Sequence, residues 1–360
     1  MSQSPSRRTV LKGGAAIAGT ALIGAPALRA QDRSLKVGVY GGYFKDSFDE
    51  HVFPKFTEET GIAVESVAEP TGEAWVVQLQ QAARAGQVPA DVNMMSQGAM
   101  LTGQAVELWS KLDMDKMPNA QAVLDRYINR YPDDSVCGIG AVAWYITLVT
   151  NTDAYGEAPE SWEFLWDPAN EGKLGLLALP SNSYLLEVTA ETFFDGTGIL
   201  ETEEGILKVM EKLAEVKPNV QLWYRDEGQF QAALESGEIP AGQYYHDVAG
   251  LAAADGKPVR STFPKEGGIA DAGSWAVPYA SEKLDLAHEF IDYMCQPGMQ
   301  ALLSRKVGTA PVIPRDMVDL TDEEFAAVAS EGDPIIPAYE VQNEKRDWIA
   351  QKWSEIVTGG

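Results

Sequence analysis

Residues Phe263 to Cys295 read FPKEGGIADAGSWAVPYASEKLDLAHEFIDYMC. Pro264, Gly267, Gly268, Gly273 and Pro278 punctuate this run into a strand, a glycine-broken loop, a second strand and an amphipathic helix. In the loop, Gly267-Gly268 and Ala272-Gly273 allow sharp bends and close approach, while Asp271, Ser274 and Trp275 offer a charge, a hydroxyl and an aromatic face to a ligand. Leu284, Ala287, Ile291 and Met294 then recur at helical spacing behind Ser281 as a cap, and Pro297 forbids simple continuation. An ordinary strand-loop-helix corner accounts for the same residues, with Trp275 turned to the core beside Ala276-Val277. Both readings stay open at this point.

Outward from that stretch, 360 residues with 45% hydrophobic content can bury a large core and are enough for two lobes. The formal charge of −25 excludes a nucleic-acid binder, which needs a Lys/Arg surplus to meet phosphate. Cys137 and Cys295 are the two cysteines. One bridge would not make a disulfide framework, and two buried thiols serve as well.

The N-terminus reads as an address. Ser6-Arg7-Arg8-Thr9-Val10-Leu11-Lys12 precedes a weakly apolar run from Gly13 to Ala27, and Leu28-Arg29-Ala30 offers a cleavage point before Gln31. This resembles a twin-arginine export signal over residues 1–30, handled by the twin-arginine translocase and removed in the periplasm. The run is too short and too rich in Gly and Ala for a membrane span.

Taken in order, Ser34 to Tyr40 alternates as a first strand, and Tyr43 and Phe44 stand at the mouth of a helix that Pro54 kinks or restarts and Gly61 ends. Ile62–Val67 is a strand, Gly72–Ala85 a helix, and Asp91–Met95 a strand running into Ser96-Gln97-Gly98. Strand and helix in alternation define an α/β lobe with a mainly parallel sheet, whose ligands sit beyond the carboxyl ends of the strands. Ala141 to Val149 is an apolar strand long enough to run between lobes. Lys173–Leu179 leads to Pro180-Ser181-Asn182-Ser183-Tyr184, a helix start with Ser181 or Asn182 as cap, where free amides suit a carboxylate. Helices over 202–216 and 226–236 follow, then Ile239–Tyr245 as a strand delivering Tyr244-Tyr245-His246-Asp247. Alternation puts one of the two tyrosines in the core. His51 and His288, beside acids on helices, read as solvated.

Phe56–Glu65 (FTEETGIAVE), Ala90–Ser96 (ADVNMMS), Ser161–Leu177 (SWEFLWDPANEGKLGLL), Phe263–Gly268 and the helix before Pro297 together resemble bacterial extracellular solute-binding proteins of the spermidine/putrescine-binding type. The resemblance runs from about Leu35 to Trp353. It implies an α/β, two-lobed periplasmic-binding-protein fold of type II. The segments expected are 33–147 and 269–312 for lobe 1, and 148–268 and 313–360 for lobe 2. It further implies a monomeric receptor that hands a small molecule to an inner-membrane ABC permease with its ATPase, needs no cofactor or metal, and is not an enzyme.

Polyamine receptors hold ammonium ends with carboxylates and methylenes with aromatic rings. By resemblance the acids would fall at Ser181, Tyr184 and Gly273, none of which is a carboxylate. The expected ligand set is therefore Tyr43, Phe44, Ser96, Gln97, Ser181, Asn182, Tyr184, Tyr245, Asp247, Asp271 and Trp275. It suits a small solute with one amine, or one carboxylate, over a true polyamine. Two other classes compete: a ferric-ion receptor using Tyr244 and Tyr245, and an exported enzyme. The second lacks a GxSxG or HExxH run, and three scattered histidines make no metal cluster.

Overall fold

The computed structural model describes residues 33–69 and 73–359. The export signal expected at 1–30 lies outside the described residues. The first strands are β1 (Ser34–Tyr40), β2 (Ala63–Glu69), β3 (Val92–Ser96), β4 (Ile128–Arg130) and β5 (Val136–Asn151). They are followed by β6 (Leu174–Leu177), β7 (Val220–Tyr224), β8 (Ala241–Tyr245), β9 (Val259–Thr262) and β10 (Ile269–Ala276). All ten belong to one sheet ordered β2-β1-β3-β10-β5-β8-β6-β7, with β4 and β9 also on β5. The triplets β2-β1-β3 and β8-β6-β7 are parallel, and the antiparallel strands β10 and β5 join them. Each lobe is thus a mainly parallel α/β half, as a two-lobed type II fold requires.

The helices follow from the sequence pattern. α1 (Tyr43–Ser47) passes through a π-helical stretch at Phe48–Val52 into α2 (Phe53–Thr60), where Pro54 sits in the first turn as a restart and Gly61 closes in the left-handed region. α3 (Glu73–Arg84) and α4 (Gln97–Ala105) cover the same half. The other half carries α5 (Pro180–Ser183), α6 (Leu185–Phe193), α7 (Glu203–Leu213), α8 (Glu227–Ser236) and α9 (His246–Ala254). In α7, Thr202 caps the start, Ile206, Val209, Met210 and Leu213 face inward, and Lys208 meets Glu204 at 2.7 Å. α10 (Leu284–Met294), α11 (Pro297–Val307) and α12 (Asp322–Ala326) return to the first half. α13 (Tyr339–Glu344) and α14 (Arg346–Trp353) end the described helices apart from a final π turn.

Two large cores lie on either side of the crossing. The first gathers Leu35, Val37, Val39, Phe48, Phe56, Trp275 and Phe290; the second gathers Trp162, Leu174, Leu176, Phe230, Tyr244 and Trp353. Along β5 the change falls between Tyr145 and Ile146, and along β10 between Ile269 and Ala270. After Ala310 bridges Ala143, the chain stays with the first core through Val318, Leu320, Phe325 and Ala329 and enters the second at Ile335. The return thus comes after 329, where 313 was expected.

Three local expectations are corrected. Ala272-Gly273 form no loop: β10 runs unbroken through them with a bulge at Gly273/Ser274, because β3 and β5 supply partners on both sides. Glycine at 273 leaves room for Met94, whose side chain would lie 3.2 Å from a Cβ there and would have to give slightly. The true bend is Gly267, at φ 104°, where a Cβ would lie 2.3 Å from the Asp333 carbonyl. Ser281 does not cap α10, which starts from Lys283; its hydroxyl donates to Asp91 at 3.0 Å. His288 is buried, with Nε2 accepting the Asp113 amide at 3.0 Å. Cys137 and Cys295 are both buried free thiols.

Candidate functional site

Where the strands cross, a cavity of about 610 Å³ opens between the halves. Asp271 on β10 lies on its floor, directly opposite Trp144 on β5. Period-two alternation explains the pair: Ala143 and Tyr145, Ala270 and Ala272 go into the first core, so Trp144 and Asp271 face the other way.

Asp271 is held by neutral donors. The Tyr184 hydroxyl donates to Oδ2 at 2.8 Å, the Tyr339 hydroxyl to Oδ1 at 2.6 Å, and the Ala272 amide to Oδ1 at 2.8 Å. The two phenol rings stand edge to face with centroids 6.0 Å apart. Burial raises the Asp271 pKa, and the three donors only partly oppose it. Burial, then the Asp271 charge, pushes the Tyr339 and Tyr184 phenols far above their ordinary value, so both remain donors. A carboxylate set in this way has its geometry fixed but its charge uncompensated, which suits a cationic guest.

Tyr184 reaches Asp271 because of an unusual backbone. It separates α5 from α6 at φ 52°, ψ 24°, in the left-handed region that a bulky residue enters at a cost of about 1–2 kcal/mol. The break corrects the expected anion cradle. Leu179, not Ser181 or Asn182, occupies the N-cap position, and the Asn182 and Ser183 amides donate to the Leu179 carbonyl at 3.3 and 3.0 Å. Ser181 and Asn182 do line the cavity, and the Asn182 side-chain oxygen is buried without a partner among the described residues.

The other expected residues divide plainly. Ser96, Gln97, Tyr184, Tyr245 and Asp271 all line this cavity. Tyr245 lies mostly buried beside Glu227, and burial with that neighbouring acid raises its phenol. Trp275 is a correction: it is fully buried in the first core, edge-on to Phe48 at 6.1 Å and to Phe290 at 5.0 Å. Phe44 is another, since it packs on that core and stacks on Phe48 at 5.3 Å, leaving the cavity wall to Tyr40. Asp247 starts α9 behind Tyr245 and does not line the cavity; burial pushes it up to about 6. The Tyr43 side chain lies outside the described residues.

Sequence reasoning missed Tyr40, Trp144, Tyr339, Gln342, Asn343 and Arg346, all of which line the cavity. Trp144 was signalled by its place in an alternating strand. Tyr339 to Arg346 carried no local signal, because their relation to Asp271 spans a long stretch of chain. Arg346 brings a guanidinium to the same cavity and donates to Asn343 Oδ1 at 2.5 Å.

The ferric reading fails on geometry. Tyr244 is buried in the second core with its hydroxyl donating to the Glu227 carbonyl at 3.3 Å, while Tyr245 faces the cavity. Among the described residues no group of three or more His, Cys, Asp or Glu is placed to hold a metal.

Residues 52–327 match the family of bacterial extracellular solute-binding proteins. The chain is 27% identical over 297 residues to a gamma-aminobutyric acid-binding protein of Pseudomonas aeruginosa, covering 80% of this chain and 79% of that protein. It is 25% identical over 251 residues to spermidine/putrescine-binding periplasmic protein 1 of Haemophilus influenzae, covering 67% and 65%. An ABC transporter substrate-binding protein from Bradyrhizobium japonicum USDA 110 superposes with a TM-score of 0.74 at 20% identity, over 90% of this chain and 99% of that one. The chain therefore belongs to the bacterial extracellular solute-binding protein family. That membership makes it a solute-binding protein. No described helix is long and apolar enough to cross a membrane.

Proposed function

We propose that this receptor captures a small zwitterion of the ω-amino acid type and delivers it, without reaction, to an inner-membrane ABC permease. In this reading the ammonium docks on Asp271 between Tyr184, Tyr339 and Trp144, and the carboxylate turns toward Arg346, with Gln342 and Ser181 as further donors. The observation that carries it is the buried Asp271 carboxylate, fixed by two neutral phenols in a cavity that also holds a guanidinium. One acid for one ammonium fits an amino acid better than a diamine, whose second charge would meet Arg346. The relation to a gamma-aminobutyric acid-binding protein supports the same class. The receptor works as a monomer in the periplasm, after a twin-arginine signal over residues 1–30 is removed.

The test is a thermal-shift screen followed by calorimetry with 4-aminobutyrate, 5-aminopentanoate, putrescine, spermidine and succinate. A ligand that binds only the folded chain raises its melting temperature. The amino acids should give the largest shifts. A largest shift from putrescine, spermidine or succinate would overturn the zwitterion.

A further inference from the structure

Glu187 lies behind the cavity rather than in it. It stands in the first turn of α6, fully buried, and among the described residues no cation partners it. Its Oε1 accepts the Ala338 amide at 3.0 Å and the Gln342 side-chain amide at 2.5 Å. Ala338 is the N-cap of α13 and has no side chain able to cap. Glu187 thus takes the backbone N–H that a capping-box glutamate would take, but from another helix.

The two helices joined in this way carry the two phenols. Tyr184 is the N-cap of α6, three residues before Glu187, and Tyr339 opens α13, one residue after Ala338. Their hydroxyls occupy different oxygens of Asp271, which a bidentate cradle requires and which a small slide of one helix on the other would spoil. We propose that Glu187 is a positioning residue for the binding site: by tying α13 to α6 it sets the spacing of Tyr184 and Tyr339 to match the Asp271 carboxylate. Its carboxyl is retained in a dry place, where an apolar side chain would pack at less cost, because it holds this register.

This inference rests on Asp271 being the ligand's ammonium site, and its test separates the two. Glu187→Met keeps the bulk and removes the acceptor; Glu187→Gln keeps an acceptor oxygen. Ala338→Pro removes the donor from the other side, at a φ of −81° that proline tolerates. With 13Cζ-labelled tyrosine, and Tyr184→Phe and Tyr339→Phe spectra to assign signals, the ligand-free protein should show both resonances displaced in E187M and A338P and near their native positions in E187Q. Affinity for 4-aminobutyrate should fall by about tenfold or more in E187M and by less than about threefold in E187Q. In an E187M/Y339F double variant, affinity should be within about threefold of the weaker single variant, since both changes remove one device.

Unmoved tyrosine signals, unchanged affinity in E187M, or losses that multiply in the double variant would each overturn the role. If E187M does not fold, A338P carries the same three readings. If wild-type protein ignores 4-aminobutyrate, the zwitterion reading falls, and the tyrosine spectra still decide whether Glu187 sets the phenols.

Discussion

Trp144 and Asp271 are cross-strand partners on β5 and β10, at the step where both strands leave one core for the other. The Asp271 carboxylate and the indole beside it are therefore fixed by ladder hydrogen bonds, not by a loop. The placement of the two side chains relative to each other is thus set by strand register.

Removing that charge separates binding from folding. Asp271→Asn should lower affinity for an amino-acid ligand by about a hundredfold, because a charge-assisted contact in a dry site is lost. The ligand-free melting temperature should hold or rise, since burial disfavours the ionised acid. Calorimetry and a melting curve on the same sample check both halves.

The raised Asp271 pKa also dictates a pH dependence. An ammonium binds the ionised acid, so as pH falls through the raised ligand-free value, Asp271 takes up a proton that binding must expel. Affinity should weaken steadily as pH falls through that raised value, above the ordinary carboxylate range, and the trend should disappear in Asp271→Asn. A flat profile for the wild type would count against Asp271 as the ammonium site.

Glu69 gives a stability prediction that runs the opposite way with pH. Burial raises it to about 9, and both its oxygens lack partners among the described residues. The folded chain holds this proton more tightly than the unfolded one, so stability is full below the ordinary carboxylate range and declines as pH rises toward 9. Glu69→Gln should raise stability near pH 8 by on the order of 1–3 kcal/mol and change little near pH 4. Denaturant melts at the two pH values decide it.

The two tryptophans should behave oppositely. Trp275→Ala opens a hole in the first core and should cost about 3–5 kcal/mol with ligand preference unchanged. Trp144→Ala should cost little stability and weaken ligand binding by about tenfold, as loss of a ring against an ammonium does.

A similar contrast holds for the adjacent tyrosines. Tyr245→Ala should weaken ligand binding by more than about tenfold, whereas Tyr244→Ala should mainly lower the melting temperature. An unchanged dissociation constant in Tyr245→Ala would place that ring outside the site.

Much of the frame was legible because it is local. β1 runs from Ser34 to Tyr40 as its alternation requires, Gly61 and Gly237 stop their helices in the left-handed region, and of the adjacent Tyr244 and Tyr245 one is core and the other lines the cavity, their rings edge to face at 5.7 Å. Residues 270–275 were misread because Ala272-Gly273 looks like a turn, and only pairing with β3 and β5 makes it strand. Tyr339 was invisible for a different reason: its bond to Asp271 joins residues 68 positions apart, and nothing near position 339 predicts it. The Ser181 cradle failed because a left-handed Tyr184 ended the helix after one turn and the amides closed on Leu179.

β5 and β10 pass through both halves as one hydrogen-bonded ribbon, with no slack tether between the halves at that point. Any change in the angle between the halves would therefore flex this ribbon like a leaf spring, and a flexed ladder returns to its resting shape when the load is removed.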